Sequence, residues 1–426
     1  MADVKRALIL GCHGGVGRAV QALLERTEPG RRILGGLDGV LLADREPQHH
    51  PMPLSGGVLL PPIRVTSGED LAALIREHGV TQVIDLASID TAECARVCNA
   101  LGAHLLTTSV EEWPRATSMP TDEAIGRLLP PRRPILRSTS QLVGSGANPG
   151  IVNALAFEAV REFASAVGVN ATASALDLYA LFITEEDTTA ELRRRLPPEV
   201  FPMTWSPRHC LEELFEPRAF AADRGDIVPL GHRPTERWYE ARCGETEIEG
   251  MAVPHEEVVT LARRFPGLQI AFIYRLPEAA RNALAKRPDA TVAADWSTRR
   301  LLPPWTRTLV GEDRLGVLLC SRRYGELWLG YRTDVASGLA LGTNATQLQV
   351  AAGVIAGWSQ LGRRKGIHFV EDLDTRAFVA LASEVLGPTL LVREANAPVR
   401  SLGERGRANP DVVRLPARRA QRSANA

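Results

Sequence analysis

The pentad RALIL running directly into GCHGGVG, residues 6–17, constrains this chain more than any other feature. A short apolar run followed by glycines at Gly11, Gly14 and Gly17 reads as a first strand, a tight turn and the start of a helix. One glycine is needed at the sharp turn, one where backbone approaches a pyrophosphate, and one where helix meets strand closely. The helix GRAVQALLERT then presents free amides and the positive end of its dipole to phosphate oxygens, with Gly15 and Val16 in the same cradle. The second strand, GVLLA, leads into Asp44, where an acid accepts from the hydroxyls of an adenosine ribose. Asp44 favours NAD, and Arg45 beside it leaves a 2′-phosphate, and so NADP, open.

The first hundred residues alternate strand-like and helix-like segments, the pattern of a parallel sheet with crossover helices. Strands are expected at RALIL, GVLLA, PPIRV, TQVIDLA and AHLLTT, with REPQHHPMPLSGG as a surface loop that leaves His49 and His50 solvated. Near residue 148 the pattern changes, and GSGANPG opens a long helix. The segments SALDLYALFI, LQIAFIYRL, RLGVLLCSRR and ELWLGYRT then read as strands of a second layer. The expected fold class is α/β, a doubly wound Rossmann sheet with an inserted α+β substrate domain. Its boundaries are 1–147 for the Rossmann domain, completed by 342–398, and 148–341 for the insert. The segment 399–426, rich in arginine, is expected to be a flexible tail.

A formal net charge of zero argues against nucleic acid and anionic membranes as partners. No apolar run reaches the length of a bilayer span, and the first is too short for a secretory signal, so a cytoplasmic location is expected. The cysteines at 12, 94, 98, 210, 243 and 320 lack the spacing of a zinc site or disulfide framework, and no metal is expected. The only lysines are Lys5, Lys286 and Lys365, none in a segment suited to a covalent Schiff base.

The stretches GANPG (146–150), TWS (204–206), RLGVLL (314–319), NATQLQVAAGVIAG (344–357), EDLD (371–374) and LGP (386–388) resemble, in content and order, the bacterial homospermidine synthases, relatives of the saccharopine dehydrogenases. The resemblance implies joining of two putrescine-type amines. NAD takes hydride from one, ammonia leaves, the second condenses, and the same hydride reduces the imine. It further implies a homodimer, catalytic roles for Asp90, Glu111, Asn148 and His255, and amine binding by Glu185, Trp205, Glu213 and Asp313. Ser88 is placed with the cofactor residues. Carboxylates suit the ends of a dication, and an indole face attracts an ammonium. Three departures stand out: a longer glycine turn, Thr107 where the family tends to have Asp, and Arg275 where it tends to have His. The added arginine leaves a carboxylate-bearing substrate open. Two other readings are an imine reductase of the saccharopine or carboxyspermidine dehydrogenase kind and a dinucleotide sensor without chemistry.

Overall fold

RALIL forms a central strand because both of its faces are covered: Ala7, Leu8 and Ile9 are wholly buried. The computed structural model describes residues 4–48, 52–113, 119–193, 201–286 and 308–410. Within these, the strands are Arg6–Leu10 (β1), Gly39–Ala43 (β2), Val58–Leu59 (β3), Gln82–Asp85 (β4), His104–Thr107 (β5), Ser140–Val143 (β6), Leu178–Asp187 (β7), Ala190–Glu191 (β8), Phe220–Asp223 (β9), Asp226–Pro229 (β10), Arg237–Cys243 (β11), Thr246–Val253 (β12), Gln269–Arg275 (β13), Leu309–Val310 (β14), Glu312–Ser321 (β15), Gly325–Asp334 (β16), Gly366–Phe369 (β17), Leu390–Glu394 (β18) and Gly406–Ala408 (β19).

The first sheet runs β17-β6-β5-β4-β1-β2-β3, and every neighbouring pair is parallel. This is the doubly wound order, with ligand-binding loops expected at the carboxyl ends of the strands. The third strand precedes the predicted PPIRV, because two successive prolines remove ladder donors there. The helix Ala345–Trp358 packs on Gly15–Arg26, as expected of a segment returning to this domain. Its small residues let it cross the GSGANPG loop closely: a Cβ on Gly353 would stand 1.9 Å from the Gly146 carbonyl oxygen.

The second sheet runs β18-β16-β15-β7-β13-β12-β11-β19, with the β9–β10 hairpin attached to β13. It is antiparallel except where β13 meets β7. Two expectations about the boundaries are corrected. Residues 390–394 pair with β16 in the second sheet instead of completing the first. Residues 399–410 of the expected flexible tail are ordered: β19 pairs with β11, and the helix Leu402–Arg405 buries Arg405 against Glu326. An ion pair 3% and 2% exposed explains the order, since arginine there finds a buried partner instead of solvent. Arg405→Leu is expected to cost about 3–5 kcal/mol by leaving Glu326 buried and unpaired, read by chemical denaturation. His49, His50 and residues 411–426 lie outside the described residues. No helix among the described residues is long and apolar enough to cross a membrane.

Candidate active site

The glycine turn has the geometry of a phosphate cradle. Gly11 has φ +75°, and a Cβ on it would meet the Leu86 carbonyl oxygen at 2.6 Å; one on Gly17 would meet the Gly11 oxygen at 2.3 Å. Gly14 differs, because its φ is −63° and its Cβ would meet only the Gly11 oxygen, at 3.3 Å. No side chain caps the helix that starts at Gly15, so its first-turn amides, Val16 among them, remain open to an anion. Asp44 docks beside them: one oxygen accepts from the His13 amide at 2.9 Å and the other from the Glu46 amide at 3.1 Å. Arg45 is exposed and paired with Glu46 at 3.5 Å. These residues fit a dinucleotide on structural grounds.

The acids of the second sheet sort by strand alternation. On β7, Glu185 and Asp187 share one face and Glu186 takes the other. Asn148 donates to Glu185 at 2.6 Å from the turn preceding the helix Ile151–Val167. Thr204 donates to Asp187 and Thr346 to Asp313, each at 2.5 Å. Burial lifts Glu185 to about 8, helped by the nearby Asp187 charge and opposed by the Asn148 hydrogen bond. It raises Asp313 well above the carboxylate range, and Asp187 also moves up.

A second group gathers at the helix Glu256–Ala262. His255 Nδ1 is hydrogen-bonded to Glu257 and 3.4 Å from Glu256, while Nε2 is 3.8 Å from Glu213. Burial alone would lower the imidazole, yet the Glu257 and Glu213 charges outweigh it and hold the pKa well above 6.5. Glu213 is itself raised, chiefly by burial. His209 joins Ser88, at 3.3 Å, to Glu111, at 3.5 Å, across the gap between the sheets.

Between the two acid groups runs an aromatic strip. His255 packs on Phe272 with centroids 4.8 Å apart, Phe272 stacks on Tyr274 at 5.7 Å, and the Trp205 indole donates to the Tyr274 hydroxyl at 2.9 Å. The arrangement offers two carboxylate poles across an apolar wall. His255, Glu256 and Glu257 also bring three donor atoms within 4.8 Å, as do Cys12, His13 and Asp44. The first set is held together by the His255–Glu257 hydrogen bond.

No protein-family model matches the sequence, and no curated protein matches it significantly. Among solved structures, homospermidine synthase from Legionella pneumophila, in complex with NAD, aligns at TM-score 0.75 and 20% identity over 92% of this chain and 92% of that one. The chain has the fold of that synthase. Saccharopine dehydrogenase (L-Glu forming) from Saccharomyces cerevisiae aligns at TM-score 0.52 and 12% identity, over 91% of this chain and 100% of that one.

The structure thus brings together Asn148, Glu185, Trp205, Glu213, His255 and Asp313, with Glu111 and Ser88 meeting at His209 on the helix that also carries Glu213. Asp90 stands apart. It caps the helix Thr91–Ala100 and takes both of its oxygens to Arg127, at 3.2 and 3.1 Å, which accounts for its burial. Arg275 takes the sheet face opposite Glu185, pairing with Glu186 at 3.2 Å, because its register partner on β7 is Glu186. Thr107 ties the loop after β5, donating to the Ser109 carbonyl at 2.8 Å.

Asp187, His209 and Tyr274 were missed by sequence reasoning. Strand alternation from Glu185 already carried the signal for Asp187. Retained protons make a pH prediction: unfolded Glu185 would release its proton near 4.5, folded Glu185 near 8. Stability therefore falls as pH rises between those values, and the raised His255 acts in the same sense. The melting temperature of the ligand-free protein is expected to drop between pH 6 and 9, and a bound diamine to flatten that slope.

Proposed function

We propose that this chain is an NAD-dependent enzyme that joins two amines of the putrescine type by oxidation, loss of ammonia, condensation and re-reduction. The observation carrying this reading is the aromatic strip between two carboxylate groups, a pattern of charge and apolar surface suited to a dication. NAD, when bound, supplies the hydride acceptor and later the donor. It would lie on the amides after Gly14 with its adenosine ribose at Asp44. Glu185, oriented by Asn148, holds an ammonium group, with the buried carboxyl groups of Asp187 and Asp313 beside it. Trp205, Tyr274 and Phe272 exclude water along the methylene chain. His255, between Glu213 and Glu257, takes and returns protons as the imine forms and is reduced, and Glu111 tunes the nicotinamide end through His209.

A diamine fits better than an amino acid. Arg275 and Arg314, the cations beside β7, sit on its other face with Glu186 and offer no partner to a substrate carboxylate. The test is incubation with putrescine and substoichiometric NAD. Homospermidine and ammonia should appear in equal amounts over many turnovers without accumulating NADH. One-to-one consumption of added NADH would move the chain to the imine reductases, and dinucleotide binding without turnover to the sensors.

A further inference from the structure

Next to His255 in sequence, Glu256 shares a small pocket with a second acid, Glu371. Glu256 places one carboxylate oxygen 3.4 Å from His255 Nδ1, and its other oxygen accepts from the Val110 amide at 3.0 Å. Glu256, Glu371, Asn153 and Thr260 bring polar groups to a pocket otherwise walled by apolar side chains such as Val143 and Phe369, and its volume of ≈ 10 Å³ is about what one water requires. Glu371, which lines the same pocket, accepts from Asn153 at 3.0 Å and is 8% exposed.

We infer that a water in this pocket joins Glu256 to Glu371, and that the three carry protons between the reaction chamber and solvent. The need for such a path rests on the proposed reaction. Turning an ammonium-bearing carbon into an iminium gives up one hydride and one proton, and the proton is taken back once the secondary amine has formed. On the way out, protonated His255 gives one proton to Glu256 and the water takes one from Glu256 while giving one to Glu371. Glu371 then releases one outside, and no electrons move. Glu256 stands 3.4 Å from His255 Nδ1, beside the hydrogen bond that this nitrogen makes to Glu257, and Glu256 and Glu371 line one pocket.

The surroundings suit the task. Glu256 is faced by His255 and by the acids Glu111, Glu213 and Glu216. Glu371 is faced by Thr260, Asp372 and Arg264; burial lifts it to about 7, so that it exchanges protons near neutrality. Glu371 has a second duty, because the Asn153 amide it anchors accepts from the Gly150 amide at 2.8 Å and steadies the turn carrying Asn148. Glu371→Gln keeps an acceptor for Asn153 and removes only the titrating group, which separates the two duties.

Stopped-flow mixing of the NAD complex with putrescine, followed by NADH absorbance and a pH-indicator dye, tests the path. In Glu371→Gln, proton release is expected to slow by at least about tenfold, and imidazole in the buffer to restore it, as a merely structural loss would not allow. Release matching the wild type overturns the inference. A wild type that forms no NADH from any diamine rejects the proposed reaction, and an infrared titration then decides the pocket alone. The carboxyl band lost in Glu371→Gln should titrate lower by more than about half a pH unit in Glu256→Gln. An unmoved midpoint overturns the link.

Discussion

Glu185→Gln is expected to lower kcat/KM for putrescine by at least about a hundredfold while leaving the fold intact. Glutamine keeps the shape and can still accept from Asn148, so the turn before the long helix should hold. At neutral pH the free enzyme carries Glu185 largely protonated, since its pKa is lifted to about 8, and an uncharged amide is a close match for that state. Substrate changes the balance. An ammonium group next to Glu185 draws the carboxylate form, and a buried, hydrogen-bonded charge pair is worth about 2–5 kcal/mol, or roughly 30- to several-thousand-fold in rate. Steady-state kinetics with putrescine, beside a melting curve, makes the comparison. Unaltered kcat/KM in a folded variant would remove Glu185 from the substrate site and leave the second sheet without an ammonium pole.

Gly14→Val is expected to abolish NAD binding with little loss of stability, whereas Gly17→Val should fail to fold. The two glycines look alike in sequence and differ in space. A Cβ on Gly17 would stand 2.3 Å from the Gly11 oxygen, a collision with backbone that nothing nearby can relieve. On Gly14 the nearest atom is 3.3 Å away, and φ −63° with ψ 164° is extended backbone that a β-branched residue adopts easily. The fold itself therefore does not demand glycine at 14, and the space is there for the pyrophosphate. Calorimetric titration with NAD alongside apo melting separates the cases. Wild-type affinity in Gly14→Val would displace the cofactor from this turn.

The strand, glycine turn and helix at the start of the chain were legible in the sequence because a local rule governs them: they are contiguous, and Asp44 follows the next strand. The long helices were legible for the same reason. What the sequence could not disclose was pairing between distant segments. β19 closes an edge of the second sheet from a stretch that composition marks as solvated, and one buried partner, Glu326, reverses that expectation. Register decided Arg275 as well, since a single position along β13 sets whether a side chain meets Glu185 or Glu186. Asp90 shows the converse: a carboxylate at a strand end, where ligands usually bind, turned instead toward Arg127.

The pairing of Glu326 with Arg405 has a consequence for synthesis. The two residues are 79 positions apart, so at roughly 5–20 residues per second the acid waits on the order of 4–16 s for its counterion to be made. During that interval the β11 edge lies open, and the strand that carries Glu185 belongs to an unfinished sheet. The glycine cradle and its first strands emerge long before. A ribosome-bound chain stopped short of Arg405 would then hold a nearly complete first sheet joined to a second that has not yet closed, and the exposed strand edge is where a chaperone, or another nascent copy, would first take hold.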